Sequence, residues 1–285
     1  MALSIQFPEP DFKMPAEVPL FAVRHQTWTR ESAITLARRL EISSEAVDAG
    51  LWMIARDKRA VLELYQATQS FRYSRLDLDG EGRECAERRL DWDEARKVAQ
   101  AWIEPFLPVE GHAEVITITE RELLVSKRRG DEPRATIIAL DVNYVFTIDR
   151  FPLLGPGAKA KVSVHNTGAA AGGYLFWRTV APISSVPTIP LEELFRRFSS
   201  SPLFTHLTDD NARAEVRSVR FGYLTIPPTE PMSALIPALE LRGTISTEAQ
   251  PRYDFIVHVA ASELPEPGRA KEARLVNARS ALLIA

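Results

Sequence analysis

The order of helix-like and strand-like segments constrains the fold of this chain more than any other feature of its sequence. Three amphipathic segments, with apolar residues at helical spacing, are each followed by several runs in which apolar and polar residues alternate. The β-α-β alternation that builds doubly wound parallel sheets is absent from the sequence. The pattern therefore predicts an α+β protein, with antiparallel sheets built from repeated α-β-β-β units and with helices packed on one face.

Each predicted helix carries signals for its own ends. Thr29 is a suitable N-cap for the first helix, "TRESAITLARRLEIS". In the second helix, "DWDEARKVAQAWIEPF", Asp91 and Glu94 have the spacing of a capping box, and Pro105 ends the apolar stripe. Pro190 suits the first helical position of the third helix, "PLEELFRRFSS".

These repeats divide the chain into five predicted parts. An extended segment covers residues 1–28, three α-β units cover 29–90, 91–182 and 183–262, and a tail covers 263–285. With 285 residues, of which 45% are hydrophobic, the chain is long enough to bury a core without a disulfide or a metal ion. The single cysteine, Cys85, is interpreted as incidental.

Composition and charge limit the partners that we expect. Thirty-five Lys and Arg residues against 38 Asp and Glu residues give a net charge of −3, which argues against nucleic acid as the main partner. No apolar run is long enough to span a bilayer, and no signal peptide is present. We therefore expect a cytoplasmic protein, or an extracytoplasmic one if an export signal was removed. A protein partner or a small apolar ligand is expected, and the oligomeric state stays open.

The stretch "DRFPLLGPGAKAKVSVHNTG" contains glycines and lysines that could suggest a phosphate-binding loop. Such a loop needs Gly-x-x-x-x-Gly-Lys-Ser/Thr between a strand and a helix. Here no helix follows, and small or apolar residues alternate with polar ones from Lys159 to His165, which is typical of a half-exposed strand. We therefore interpret Gly155-Pro156-Gly157 as a turn, and we expect Lys159 and Lys161 to point to solvent.

Residues around this stretch resemble a known bacterial family. "VNYVFTIDRFPLLGPGAKAKVSVHNTGAAAGGYLFWRTVAP" is similar to the repeated unit of PepSY-like and YycH/YycI-like proteins, in which strands ending in Trp-Arg are joined by glycine-containing turns. Asp149-Arg150 stands where the family pattern has Asp-Gly. The resemblance covers most of residues 29–262 and concerns turn and packing residues. It implies a protein that binds or inhibits partner proteins, such as proteases or sensor kinases.

Candidate catalytic residues come from the strands, because no catalytic motif is present. The sequence lacks Gly-x-Ser-x-Gly and a Rossmann glycine motif, and its histidines are not at metal-ligand spacing, so we predict no cofactor and no metal. His258 lies in the apolar run "FIVHVAA", where a buried imidazole could act as a base. Asp141 and Glu240 could do acid–base chemistry if an apolar pocket raised the pKa of one carboxyl group.

Candidate ligand-binding residues are aromatic side chains and arginines on the same strands. Tyr144, Trp177 and Tyr223 could line an apolar pocket if the curved sheets leave a gap. Arg178 and Arg242 could bind the carboxylate of a ligand, although pairing with nearby acidic residues is the simpler interpretation.

Two hypotheses for function follow. The first, which we prefer because of the family resemblance, is a noncatalytic PepSY/YycH-like binding or regulatory protein, which an exposed apolar patch or sheet edge would support. The second is a cytoplasmic, cofactor-free enzyme of the cyclase or isomerase type, which the missing export signal favours. It predicts an apolar pocket between sheet and helices that contains Tyr144, Trp177, Tyr223 or His258.

Overall fold

A computed structural model describes most of the chain. The described residues are 4–24, 27–78, 89–108, 111–125, 132, 134–205, 212–247, 252–263 and 282–284. Cys85 and most of the predicted tail lie outside them.

Within the described ranges the chain forms sixteen strands and four α-helices. The strands are β1 (Ser4–Gln6), β2 (Glu17–Val23), β3 (Val47–Asp48), β4 (Trp52–Arg56), β5 (Ala60–Tyr65), β6 (Phe71–Arg75), β7 (His112–Val125), β8 (Arg134–Ile148), β9 (Phe151–Leu154), β10 (Lys159–His165), β11 (Ala170–Phe176), β12 (Val180–Pro187), β13 (Arg213–Leu224), β14 (Ile236–Ser246), β15 (Tyr253–Ala260) and β16 (Leu282–Ile284). The helices are α1 (Arg30–Arg39), α2 (Trp92–Ile103), α3 (Leu191–Ser199) and α4 (Pro202–Thr205), and a 3-10 turn, Glu104–Phe106, follows α2.

The predicted fold class, α+β with antiparallel sheets and helices on one face, is wrong. The structure is dominated by a fourteen-stranded mixed sheet, in which β1 and β9 pair parallel with β13 and β16 pairs parallel with β15. The helices also do not form a single layer, because α3 packs in a second core together with the two-stranded sheet β2–β12. Alternation of apolar and polar residues within a segment identifies a strand but does not specify which strand pairs with it. The parallel pairs could therefore not be predicted from this alternation.

The strands of the three predicted units join in one sheet. Its order is β16-β15-β14-β13-β9-β8-β10-β11-β6-β5-β4-β3, with β1 beside β13 and β7 beside β8. Thus β6 of the first predicted unit pairs with β11 of the second, and β9 of the second pairs with β13 of the third. Most neighbouring strands are nevertheless antiparallel, as the sequence analysis expected.

The short strand β9 connects the two halves of the sheet. The first half contains β3–β8, β10 and β11, and the second half contains β1 and β13–β16. Phe151 and Pro152 pair antiparallel with the end of β8, whereas Leu153 and Leu154 pair parallel with the end of β13. The Phe151 side chain packs against both hydrophobic cores. Four residues therefore set the position of β13–β15 relative to the rest of the sheet.

The glycine-rich stretch after β9 is a turn, as predicted, and β10 follows it directly. Gly155 has a φ of 77°, in the left-handed region that favours glycine. A Cβ atom on Gly157 would lie 1.9 Å from the carbonyl oxygen of Ile226, so only glycine allows this approach of the two backbones. These glycines serve the junction between the halves rather than a phosphate group.

The predicted helix boundaries are largely confirmed. Thr29 caps α1 and forms a capping box with Ser32. Asp91 occupies the N-cap position of α2 but makes no capping hydrogen bond through its side chain, so the predicted capping box there is wrong. Pro105 lies in the 3-10 turn just after α2, and Pro190 lies one residue before α3 rather than inside it. Among the described residues, no helix has the length and apolar character needed to cross a membrane.

Asp149 and Arg150 form the tight two-residue turn between β8 and β9. Asp149 and Arg150 have φ values of 44° and 66°, which is the left-handed combination of a type I′ hairpin turn. Asp-Gly is preferred in such turns because a side chain in the left-handed region is strained. Arg150 adopts this conformation with a side chain, and its guanidinium lies 5.5 Å from the centroid of the Phe151 ring.

We expect Arg150→Gly to raise the free energy of unfolding by about 0.5–1 kcal/mol, because it relieves left-handed strain. The matched control is Lys58→Gly in the exposed turn between β4 and β5, where φ is not positive. This control should destabilise by about 0.5–1 kcal/mol, because glycine there only adds entropy to the unfolded chain. Urea denaturation measures both; equal destabilisation by the two variants would contradict the assigned turn.

Candidate functional site

One face of the first half of the sheet carries polar side chains and is the best-formed candidate site. Helix α2 packs against β8, β10 and β11 on the other face, where Ala160, Val162 and Val164 are buried. Because side chains alternate along a strand, Lys159 and Lys161 lie on the face opposite α2, which we call the open face. The predicted alternation of β10 is confirmed at Lys159 and Lys161, which are half-buried, but Ser163 and His165, predicted on the same half-exposed side, are buried.

Strand register brings distant residues into rows on the open face. One row joins Arg72, Tyr174, Lys161, Asn143 and Thr117 on five neighbouring strands. Side chains in register on adjacent strands are close enough to contact each other.

The next row on the open face consists of small and polar residues. It joins Ser74, Gly172, Ser163, Asp141 and Thr119. Its small side chains make a low strip beside the larger residues of the first row.

Two pockets open on this face, and the Tyr174 side chain belongs to the wall of both. We call them the Arg72 pocket, of about 510 Å³, and the Arg220 pocket, of about 410 Å³. The Arg72 pocket is lined by Tyr65, Arg72, Tyr73, Ser74, Arg121, Lys161, Ser163, Ala171, Gly172, Gly173, Tyr174 and Phe176. The Arg220 pocket lies between the two halves of the sheet, and its polar lining includes Thr117, Thr119, Asn143, Lys159, Arg220, Glu240 and Arg242.

Asp141, a predicted catalytic residue, lies beside the Arg72 pocket in an ion-pair network. Its carboxylate accepts hydrogen bonds from Lys161 Nζ at 2.7 Å and from Ser163 Oγ at 2.5 Å. Arg121 donates to Ser163 Oγ at 2.7 Å and lies 3.4 Å from the Asp141 carboxylate. These contacts engage both carboxylate oxygens of Asp141 with side chains of the protein.

Glu240 and His258, the other two predicted catalytic residues, are brought together on β14 and β15. Glu240 Oε2 lies 3.1 Å from His258 Nε2, and both side chains are almost completely buried. Glu240 Oε1 also accepts hydrogen bonds from Arg242 at 2.8 Å and Arg220 at 3.1 Å. Burial by itself would raise the pKa of Glu240, but the hydrogen bonds from His258 and Arg242 and the charge of Arg220 lower it to about 2.

This arrangement gives Glu240 and Arg242 a structural function. A carboxyl group with a pKa of about 2 stays ionised at neutral pH and is a poor proton donor. The predicted ligand-binding residue Arg242 is paired with Glu240, which was the simpler interpretation of its sequence context, and it also lines the Arg220 pocket.

The remaining predicted ligand-binding residues lie in the first hydrophobic core or next to it. Tyr144, Trp177 and Tyr223 are buried, and the Tyr223 hydroxyl donates to the carbonyl oxygen of Pro19 at 2.5 Å. Burial raises the pKa of Tyr144 to about 12. Arg178 is buried as well, and burial lowers its pKa to about 10.

Arg178 ties the chain after β13 to the first half of the molecule. Its terminal nitrogen donates to the carbonyl oxygens of Ile226, Pro227 and Glu230 at 2.7–3.1 Å. These three acceptors leave it engaged with backbone rather than with a ligand.

An apolar pocket between sheet and helices exists, but it contains none of the residues predicted for it. It measures about 510 Å³ and lies under α1, with Trp28, Leu36, Phe71, Phe106 and Leu175 among its apolar lining residues. Its charged lining residues are Glu31 and Arg39. None of the three predicted acid–base residues lines it.

Sequence reasoning missed the residues that line the open face. Arg72, Arg121, Tyr174 and Arg220 come from four different strands, and their convergence depends on strand register. Lys159 and Lys161 were recognised as one polar face of a strand, which was the only available signal.

Strand β7 is an edge of the sheet beside the open face. Its fourteen residues pair with β8 on one side, and no other described strand pairs with it. Two of its apolar side chains are exposed, Ile116 by 58% and Leu124 by 63%. An unpaired strand edge presents backbone donors and acceptors to a partner strand.

Removing the buried charge tests the Glu240 network. Because the folded-state pKa is below the unfolded value, the stabilisation by Glu240 is complete above about pH 5 and is lost as the pH falls towards 2. We expect Glu240→Gln to lower the free energy of unfolding by about 3 kcal/mol at pH 7, with a flatter pH dependence between about pH 5 and 2.

The control is Glu193→Gln on α3. The pKa of Glu193 is also lowered to about 2, mainly by hydrogen bonds from Arg196 and Arg197, but this carboxylate is exposed. Chemical denaturation from pH 2.5 to 7 should show a smaller loss for Glu193→Gln, because exposed ion pairs contribute little. Equal losses in both variants would contradict the account of Glu240.

No family model matches the chain, and no curated protein matches it. Nine chains of solved structures match, among them an uncharacterized protein from Eubacterium rectale ATCC 33656, with 9% sequence identity, 93% of this chain and 89% of that chain covered, and a TM-score of 0.47. A likeness at this level does not establish a common fold, and the resemblance to PepSY-like and YycH/YycI-like proteins stays a prediction.

Proposed function

We propose that the chain is a noncatalytic binding or regulatory protein that acts through contact with another protein, and that the partner adds an extended segment to β7. The observation that carries this proposal is the length of the unpaired edge of β7. Addition of a strand satisfies backbone groups along the whole edge, and alternate side chains give specificity.

The charges on β7 favour a partner of another sequence over a second copy of the same chain. Glu114, Glu120 and Glu122 outnumber the one basic residue, Arg121. If β7 paired with its own copy, it would bring acidic side chains of the same sign together, which is unfavourable on adjacent strands. We therefore propose a partner segment that combines apolar and basic residues.

Irregularities in the pairing of β7 with β8 also favour a selective contact. The register between β7 and β8 shifts between Val115 and Thr117, and again between Arg121 and Glu122. Bulges increase the local twist and make indiscriminate edge-to-edge pairing less favourable. The first bulge includes Ile116, whose exposed side chain would contact a bound segment.

The alternative, a cofactor-free enzyme, lacks a comparable observation. The apolar pocket under α1 and the predicted acid–base residues lie in different places. Glu240 and Asp141 are both engaged in ion pairs.

Site-specific photo-crosslinking tests the proposed contact. A photo-crosslinking amino acid is placed at Ile116, at Leu124 or, as a control, at Ile183 on β12. Ile183 is 61% exposed, which matches the other two positions. In lysate of the cells that naturally produce the protein, we expect positions 116 and 124 to give the same crosslinked partner and position 183 to give none.

A charge variant shows whether the contact has the proposed character. Glu122→Lys, which leaves the apolar side chains intact, should reduce crosslinking at position 124, because it reverses an exposed charge next to the proposed basic segment. The proposal is contradicted if all three positions capture the same set of proteins, or if positions 116 and 124 capture nothing.

A further inference from the structure

We infer that the Arg72 pocket binds a small molecule that carries an oxyanion, either a phosphate or a carboxylate group, on an apolar or aromatic body. This inference goes beyond the proposed protein contact, because Arg121 is the one β7 residue in the pocket lining and the other lining residues lie on β5, β6, β10 and β11. Three features of the pocket carry it: its charge, its unpaired donors and its aromatic wall.

The charge of the pocket favours an anion. Arg72, Arg121 and Lys161 line it, and no described carboxylate does. Two carboxylates lie near the lining without belonging to it: Asp141 accepts a hydrogen bond from Lys161, and Glu63 is in register with Arg72 on the neighbouring strand β5. The three cations outnumber these two carboxylates, and the excess raises the local concentration of anions.

Several donors in the pocket are free to bind a ligand. The side chains of Tyr65, Arg72, Ser74 and Tyr174 make no hydrogen bond or ion pair with any described residue, and all four line the pocket. A guanidinium and neighbouring hydroxyl groups are the donors that bind the oxygens of phosphate and carboxylate well.

The shape of the pocket comes from the two rows on the open face. Gly172 lies in register between Ser74 and Ser163, so three neighbouring strands contribute small side chains to the floor. Arg72 and Tyr174, from the adjacent row, stand higher beside it. The volume of about 510 Å³ is that of a small-molecule site and larger than an inorganic anion requires.

An aromatic wall would bind the body of such a ligand. Tyr174 stacks on Phe176 with a centroid distance of 4.6 Å, and Tyr65 meets Phe176 edge-on at 5.4 Å. All three residues line the pocket. Aromatic surface next to fixed cations suits a ligand with an apolar part and a single anionic group.

Calorimetric titration with defined probes tests this inference. Phenyl phosphate, benzoate and inorganic phosphate are titrated into the full chain at low ionic strength. We expect phenyl phosphate or benzoate to bind with a Kd of about 1 mM or tighter, and the better of the two identifies the anionic group. Inorganic phosphate should bind more weakly than phenyl phosphate, because it does not contact the aromatic wall.

Two arginine variants separate a defined site from a general effect of charge. Arg56 lies on the same face as Arg72 but outside the pocket lining. It is in register with Val61 on β5, which is in register with Ser74 on β6, so Arg56 lies two strands away from Ser74. We expect Arg72→Ala to weaken binding by about tenfold or more and Arg56→Ala by less than about twofold. Both arginines are exposed, so both variants should keep the thermal stability of the parent.

The inference is overturned if neither phenyl phosphate nor benzoate binds more tightly than about 10 mM. It is also overturned if Arg72→Ala and Arg56→Ala weaken binding equally, because the effect would then come from the overall charge of the face. Neither result affects the proposed contact at β7, which is measured by crosslinking at other residues.

Discussion

The double pairing of β9 is the constraint on which the rest of the structure depends. The type I′ turn at Asp149-Arg150 folds the first two residues of β9 back against β8, and the last two, Leu153 and Leu154, pair parallel with β13. Thr225 reinforces this parallel pair, because both its amide and its hydroxyl donate to the carbonyl oxygen of Leu154. Two hydrophobic cores are thereby covered by one continuous sheet, and the Arg220 pocket forms where the two halves meet.

The positive charge of the two pockets on this sheet depends on how the carboxylates of Glu240 and Asp141 are paired. The Glu240 side chain is almost completely buried, and contacts with two arginines and a histidine compensate the cost of burying its charge. Asp141 is similarly engaged by Lys161 and Arg121. Since each carboxylate is surrounded by more than one cation, the pockets keep a positive excess although the whole chain has a net charge of −3.

Much of the local structure could be predicted from the sequence, and most of the site could not. The cap at Thr29, the turn at Gly155-Pro156-Gly157 and the two faces of β10 are local properties, and all three were predicted. The pairs that build the sites join residues far apart in the chain, such as Arg72 with Tyr174. Register is set by packing of the whole sheet, so a single sequence does not reveal such pairs. The same limit explains the wrong fold class, because the parallel pairing of β9 with β13 has no local signature.

Amide hydrogen exchange at β9 tests this account most directly. If β9 joins the two halves, the amides that form hydrogen bonds between β9 and the end of β13 should be protected. We expect these amides, among them that of Thr225, to exchange only through the same large-scale opening that exposes β10 and β14. Peptides from 151–154 and 221–225 should then show protection equal to that of the flanking strands when measured by mass spectrometry. Fast exchange in these two segments, with β10 and β14 still protected, would show that the halves are separate sheets and would contradict the account.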